Sequence, residues 1–199
     1  MKIIVSSCLL GNNCKYNGKN NYNPKLIDFL KQMEIIEVCP EQMGGLSTPR
    51  LPSEIKGDIV INKEGIDVTP FFQKGACKTL EIAKNNSCKV AILKSNSPSC
   101  GFGSVYDGTF SSKLKSGNGV TADLLYKNGI VILNENNFEL LEKENEYFTK
   151  VSLFLDRNNR NGKKGMSNWL YCISNICINT MDSTYNLFYY FKISCKVLR

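Results

Sequence analysis

The sequence predicts an α/β fold: a single domain with a mostly parallel, Rossmann-like sheet flanked by helices over residues 1–140, followed by a C-terminal tail, residues 141–199, that joins no domain. Three observations carry this. Short apolar runs, Lys2–Ser6 (KIIVS), Glu34–Val38 (EIIEV) and Lys89–Leu93 (KVAIL), read as buried strands. The stretches between them open with helix start signals. Strand and helix alternate along the chain, the order that implies parallel pairing through right-handed crossovers.

The elements follow in order. After the first strand comes a polar Gly/Asn-rich loop, Gly11–Asn21, and then a helix capped by Asn23 with Pro24 in its first turn. The second strand ends at Cys39-Pro40-Glu41, where proline stops further extension. Gln42–Ile55, with Gly44, Gly45, Pro49 and Pro52, reads as one long shaped loop, a length that usually serves function. Ile59–Asn62 and Ile66–Val68 read as a hairpin around Lys63-Glu64-Gly65. Thr69-Pro70 starts a helix that runs to about Asn85. The third buried strand, Lys89–Leu93, empties into the turn-rich loop Lys94–Gly103 (KSNSPSCGFG). Tyr106-Asp107-Gly108-Thr109 carries a hairpin signal. A helix capped by Thr121 and stopped near Gly129 leads to a last strand, Ile130–Leu133. The tail mixes Asn, Lys and aromatics without a clean period and holds Cys172, Cys177 and Cys195.

Composition narrows the chemistry. A chain of 199 residues buries a core without staples, and it contains no histidine. That absence removes Ser–His–Asp and Cys–His nucleophile systems, His-containing zinc sites and imidazole as a base. Nine cysteines, an odd number at scattered spacing, do not form a secreted disulfide pattern. Met1 runs straight into a strand with no signal-like region, and no apolar run is long enough to span a bilayer. A reducing cytoplasm with free or metal-bound thiols is the expectation. The net charge of +7 favours anionic partners, but it is spread out and reads as solvated surface.

Cys8, Cys39 and Cys100 each follow one of the three strands. In a parallel sheet the carboxyl ends of the strands share one edge, so these thiols can meet in the crevice outside it. Three converging thiolates suit a metal or an iron–sulfur cluster and leave one position open for Lewis-acid chemistry. The plainer alternative is that they are small buried residues. Cys14 is a fourth ligand or a spare thiol, while Cys77 and Cys88 read as core filler. Glu41, two residues past Cys39, is placed for proton transfer or for a loop salt bridge to Arg50. Ser97 is placed to hydrogen-bond a substrate or a cluster sulfur, or simply to build the turn. Gly117–Gly119 before a helix could admit an anion.

At this point the motifs become specific. Ser7-Cys8-Leu9-Leu10-Gly11, Cys39-Pro40-Glu41 with Gly44-Gly45-Leu46 and Pro49-Arg50, Asp67-Val68-Thr69, Ser97-Pro98-Ser99-Cys100-Gly101, Tyr106–Phe110 and Gly117–Ala122 occur in that order. The sequence closely resembles the thiouracil desulfurase (TudS) family from Met1 to about Glu135. The resemblance implies a [4Fe–4S] cluster held by only three cysteines, Cys8, Cys39 and Cys100. It implies a desulfidase that replaces the sulfur of a thiolated pyrimidine by oxygen from water and releases hydrogen sulfide without net redox. Glu41 would shuttle protons and Ser97 would orient the substrate. Relatives differ in taking free thiouracil, thiouridine or modified RNA, and the tail has no counterpart in the family. Two other readings compete. One is a non-catalytic iron–sulfur or zinc protein in which Cys14 closes the site. The other is an RNA-binding module that uses the basic surface and tail aromatics such as Trp169.

Overall fold

A computed structural model of the chain describes residues 2–141, and the unit traced below is Met1–Phe138. The expectations for the tail, including Cys172, Cys177, Cys195 and Trp169, lie outside the described residues.

Four strands form a wholly parallel sheet: β1 (Lys2–Ser6), β2 (Glu34–Val38), β5 (Val90–Leu93) and β8 (Val131–Asn134), in the order β2-β1-β5-β8. The predicted α/β class holds. Register is tight across the centre, with Ile3 opposite Ile35 on one side and Val90 on the other. Ile3, Ile4, Val5 and the whole of β5 are buried, as strands covered on both faces should be. β2 departs from expectation. It is an edge strand in which Val38 alone is fully buried, and its two glutamates lie exposed.

Helices flank this sheet. α1 (Pro24–Leu30) begins as expected, with Asn23 Oδ1 accepting the Leu26 N–H at 3.1 Å. The long α3 (Thr69–Asn85) and α4 (Val120–Lys127) cover one face, where Ile4, Val38, Ala91, Leu93, Ala83, Leu125 and Ile132 share a core with Cys88 and Cys100. α4 is capped by Gly119 rather than Thr121, which falls inside its first turn.

The predicted loop Gln42–Ile55 is shorter than expected, because it is built from two elements. Pro40 ends β2 but occupies the first turn of a short helix, α2 (Pro40–Gly44). Ser53–Lys56 is a strand, β3, paired antiparallel with β4 (Ile59–Asn62). β3 and β4 turn at Gly57, which has a φ of 60°. The expected turn at Lys63-Glu64-Gly65 is present as well: Ile66–Val68 returns antiparallel along β4 through the Ile61–Asp67 bridge and the bonds Asn62 N–H to Ile66 O and Val68 N–H to Val60 O, each at 2.9 Å. A second hairpin joins β6 (Ser104–Tyr106) and β7 (Leu114–Ser116) across a longer connection than the Asp107-Gly108 signal suggests. The two hairpins are tied by the buried Glu54, whose Oε2 accepts the N–H groups of Gly108 and Phe110 at 2.9 and 3.0 Å.

Candidate active site

Each cysteine is delivered to the carboxyl edge of the sheet by a different device. Cys8 sits in a single 3₁₀ turn, Ser7–Leu10, that leaves β1 and ends at Gly11 in the left-handed region, φ 101°. Its carbonyl accepts the Asn21 N–H at 2.8 Å, folding the polar loop back over the turn. Cys39 is the residue before α2, at the end of β2. Cys100 lies within the loop after β5 and is 7% exposed.

Two glycines set the position of α2. A Cβ on Gly75 would stand 1.9 Å from the Pro40 carbonyl oxygen, and one on Gly44 would stand 2.0 Å from that of Phe71. α2 and α3 thus touch backbone to backbone, and any side chain at either position would push Cys39 and Glu41 outward. The Cys100 loop is held in a similar way. Gly119 packs against Ser99, where a Cβ would meet the Ser99 carbonyl carbon and oxygen at 2.5 Å. The first N–H groups of α4 donate into that loop: Val120 to Pro98 O at 2.9 Å, Thr121 to Ser99 O at 2.9 Å and Ala122 to Ser99 O at 3.1 Å. These donors are thereby used, so the anion site expected at Gly117–Gly119 is instead a backbone clasp. The buried hydroxyls of Ser99 and Thr121 pair at 2.9 Å.

Ser6, at the end of β1, links the two halves. Its buried hydroxyl accepts the Lys94 N–H at 3.1 Å and donates to Cys100 Sγ at 3.5 Å. Ser97 Oγ accepts two turn N–H groups, from Ser99 and Cys100, each at 3.1 Å. The hydroxyl oxygen therefore builds the turn, and its proton has no acceptor among the described residues.

The thiols differ in their readiness to ionise. A hydrogen bond from the Cys14 thiol holds Cys39 down to about 7, helped by the Gln42 N–H and the Arg50 charge and opposed by burial and Glu41. The same Cys14 thiol lowers Cys8 against the pull of burial. Cys14 itself is pushed strongly up, because it keeps its proton between those two neighbours. Burial raises Cys100, and the charges of Cys8, Glu41 and Cys39 raise it further. Cys8, Cys39 and Glu41 are thus near enough to Cys100, at the carboxyl edge of the sheet, for their charges to act on it. Cys77 is exposed, contrary to the core-filler expectation, while Cys88 is buried as expected. The cavity lined by Leu80, Ala83, Cys88 and Ile130 lies at the amino ends of β5 and β8, away from this crevice.

Glu41 is salt-bridged to Arg50, with Arg50 Nε and Nη2 at 2.8 and 2.7 Å from its Oε2. The sequence offered Arg50 only as a salt-bridge partner. Its hold on the Cys14 carbonyl at 3.0 Å comes from the fold of the loop and has no signal in the sequence.

No three His, Cys, Asp or Glu side chains among the described residues form a ready site for a single metal ion. Soft thiolates are the donors that iron–sulfur clusters take, so the chemistry of these side chains is compatible with such a group. No helix among the described residues is long and apolar enough to cross a membrane.

Known proteins resemble this chain in sequence and in fold. The chain is 44% identical over 144 residues to an uncharacterised Bacillus subtilis (strain 168) protein, YbbK, covering 67% of this chain and 95% of that protein. A solved structure of a [4Fe-4S]-dependent thiouracil desulfidase, TudS, superposes with a TM-score of 0.69 at 37% identity, covering 73% of this chain and 98% of that one. The family model of 2-thiouracil desulfurase matches residues 3–137, and the chain belongs to that family.

Proposed function

We propose that this protein is a non-redox desulfidase that converts a small thiolated pyrimidine, such as 2-thiouracil, to its oxo form and hydrogen sulfide. What carries the reading is that Cys8, Cys39 and Cys100 each stand past the carboxyl end of a strand of one parallel sheet, with the charges of Cys8, Cys39 and Glu41 acting on Cys100. The 37% identity to a [4Fe-4S]-dependent desulfidase supports it. Cys8, Cys39 and Cys100 would hold a [4Fe–4S] cluster. When bound, that cluster supplies a Lewis-acidic iron with an open position for the substrate sulfur.

The protein's own groups do the rest. The reaction exchanges the ring C=S bond for C=O: water contributes the oxygen, and its two protons leave with the sulfur as hydrogen sulfide. Glu41 takes a proton from the water as it adds and returns one to the departing side, so no electron is gained or lost. Ser97, with its oxygen fixed by two turn N–H groups, offers its proton to the pyrimidine ring. In this reading Cys14 is not a ligand but a protonated neighbour of Cys8 and Cys39, with its carbonyl 3.9 Å from Cys39 Sγ.

The test is sulfide release from 2-thiouracil by anaerobically reconstituted protein, with iron measured in parallel. The expected result is about four irons per chain and sulfide release, both lost in Cys100→Ser and both retained in Cys14→Ala. Loss of iron in Cys14→Ala would favour a closed, non-catalytic site, and absence of iron uptake would overturn the mechanism.

A further inference from the structure

Arg50 makes four side-chain hydrogen bonds and an ion pair at this site. Nε donates to Glu41 Oε2 at 2.8 Å, and Nη2 stands 2.7 Å from the same oxygen in the ion pair. Nη2 donates to the Cys14 carbonyl at 3.0 Å. Nη1 donates to the Ser47 carbonyl at 3.1 Å and to Thr48 Oγ1 at 3.0 Å. The side chain is only 8% exposed. The Arg50 backbone N–H also donates to the Tyr16 carbonyl at 2.7 Å. One guanidinium therefore fixes three segments at once: the loop carrying Cys14, the first turn of α2 and its own loop.

The contact with Glu41 is side-on. A fork-to-fork pair would engage both carboxylate oxygens, whereas here both nitrogens meet Oε2. Oε1 has no protein partner among the described residues, and no buried side-chain oxygen there is left unpaired. Oε1 is therefore an oxygen that solvent, and hence a ligand, can reach.

We infer that Arg50 is a positioning residue that divides the Glu41 carboxylate into a fixed oxygen, Oε2, and a working oxygen, Oε1, which carries the proton. This rests on the desulfidase reading, in which Glu41 moves protons. A carboxylate free to turn about its terminal bond presents either oxygen in many directions, and orientation losses of that kind cost about 10²-fold in rate. Lysine cannot substitute, since one ammonium has three donors and no planar fork to reach acceptors on three segments.

The experiment uses the full-length, cluster-loaded protein and 2-thiouracil, with iron content, thermal unfolding, kcat and KM measured for Arg50→Ala, Arg50→Lys, Glu41→Gln and the double variant Arg50→Ala/Glu41→Gln. The expected result for Arg50→Ala is a loss of about 10²-fold in kcat with KM changed by less than about 3-fold and iron retained. Added guanidinium ion should restore part of the rate in Arg50→Ala and none in Glu41→Gln. The double variant should be no slower than Glu41→Gln alone, since the two residues act as one unit. If Arg50→Ala loses iron or fold, Arg50→Lys decides: it should keep its iron and still lose kcat. Normal kcat in an iron-loaded Arg50 variant, or losses that add in the double variant, would overturn the inference while leaving the desulfidase reading intact. Normal turnover by Glu41→Gln would overturn the inference together with the proton role of Glu41, with the desulfidase activity itself standing.

Discussion

The Cys39 arm and the Cys100 arm solve one problem in two ways. Both press backbone against backbone through a glycine, Gly75 under α2 and Gly119 under the Cys100 loop. They differ in what surrounds that contact. The Cys39 arm is organised by an ion pair, Arg50 with Glu41, at 8% and 18% exposure. The Cys100 arm is held by neutral groups: the Ser6 hydroxyl, the Ser99–Thr121 pair and the first N–H groups of α4. Charge enters it only at its root, where Lys94 and Ser95 meet Glu135. The charged arm carries the carboxylate proposed to move protons, and the neutral arm carries a thiol and the Ser97 hydroxyl proposed to face the substrate.

The largest effect expected to break this comparison comes from the glycines. Gly75→Ala and Gly119→Ala should each destabilise by on the order of 3 kcal/mol, since the intruding Cβ meets backbone that cannot rotate away. Urea unfolding measures this, and a cost below about 1 kcal/mol at either site would show that the arm is not locked by its backbone. A smaller effect sharpens the neutral side. Ser99→Ala should cost about 1–3 kcal/mol by leaving the Thr121 hydroxyl buried and unpaired. The double variant Ser99→Ala/Thr121→Val should recover most of that loss, and a simple sum of the two costs would refute the pairing.

The smallest effect concerns Glu135. Burial pushes its carboxyl up, but hydrogen bonds from Lys94 and Ser95 together outweigh it and hold the group below its ordinary 4.5. A carboxyl lowered on folding stabilises the protein above 4.5, and that contribution fades as pH falls through the lowered value. Glu135→Gln should therefore cost under about 1 kcal/mol at neutral pH and flatten the decline in stability on acidification. An unchanged acid limb would show that the ion pair does not anchor the root of the loop.

Much of this was legible in the sequence, and the remainder has physical reasons for being hidden. β1 and α3 were plain because unbroken apolar runs and a Thr-Pro start are strong local signals. β3 was hidden because SEIK offers one apolar residue in four, and its inward-facing residue is a carboxylate satisfied by two N–H groups from a distant loop. α2 was hidden because a five-residue helix ending in glycine has little intrinsic propensity, and packing on α3 sustains it. The three cysteines were legible as residues that follow strands. Arg50's fork was not, since four acceptors on three segments converge only after the loop is built.

The glycine contact under α2 also bears on how steady Cys39 is. Interlocked side chains exchange rotamers on fast timescales, and the atoms they support drift with them. Main chain resting on main chain has no rotamers to exchange. With Gly75 against Pro40 and Gly44 against Phe71, α2 travels with α3 as a single body. Any movement that shifts Cys39 must therefore carry α3 with it.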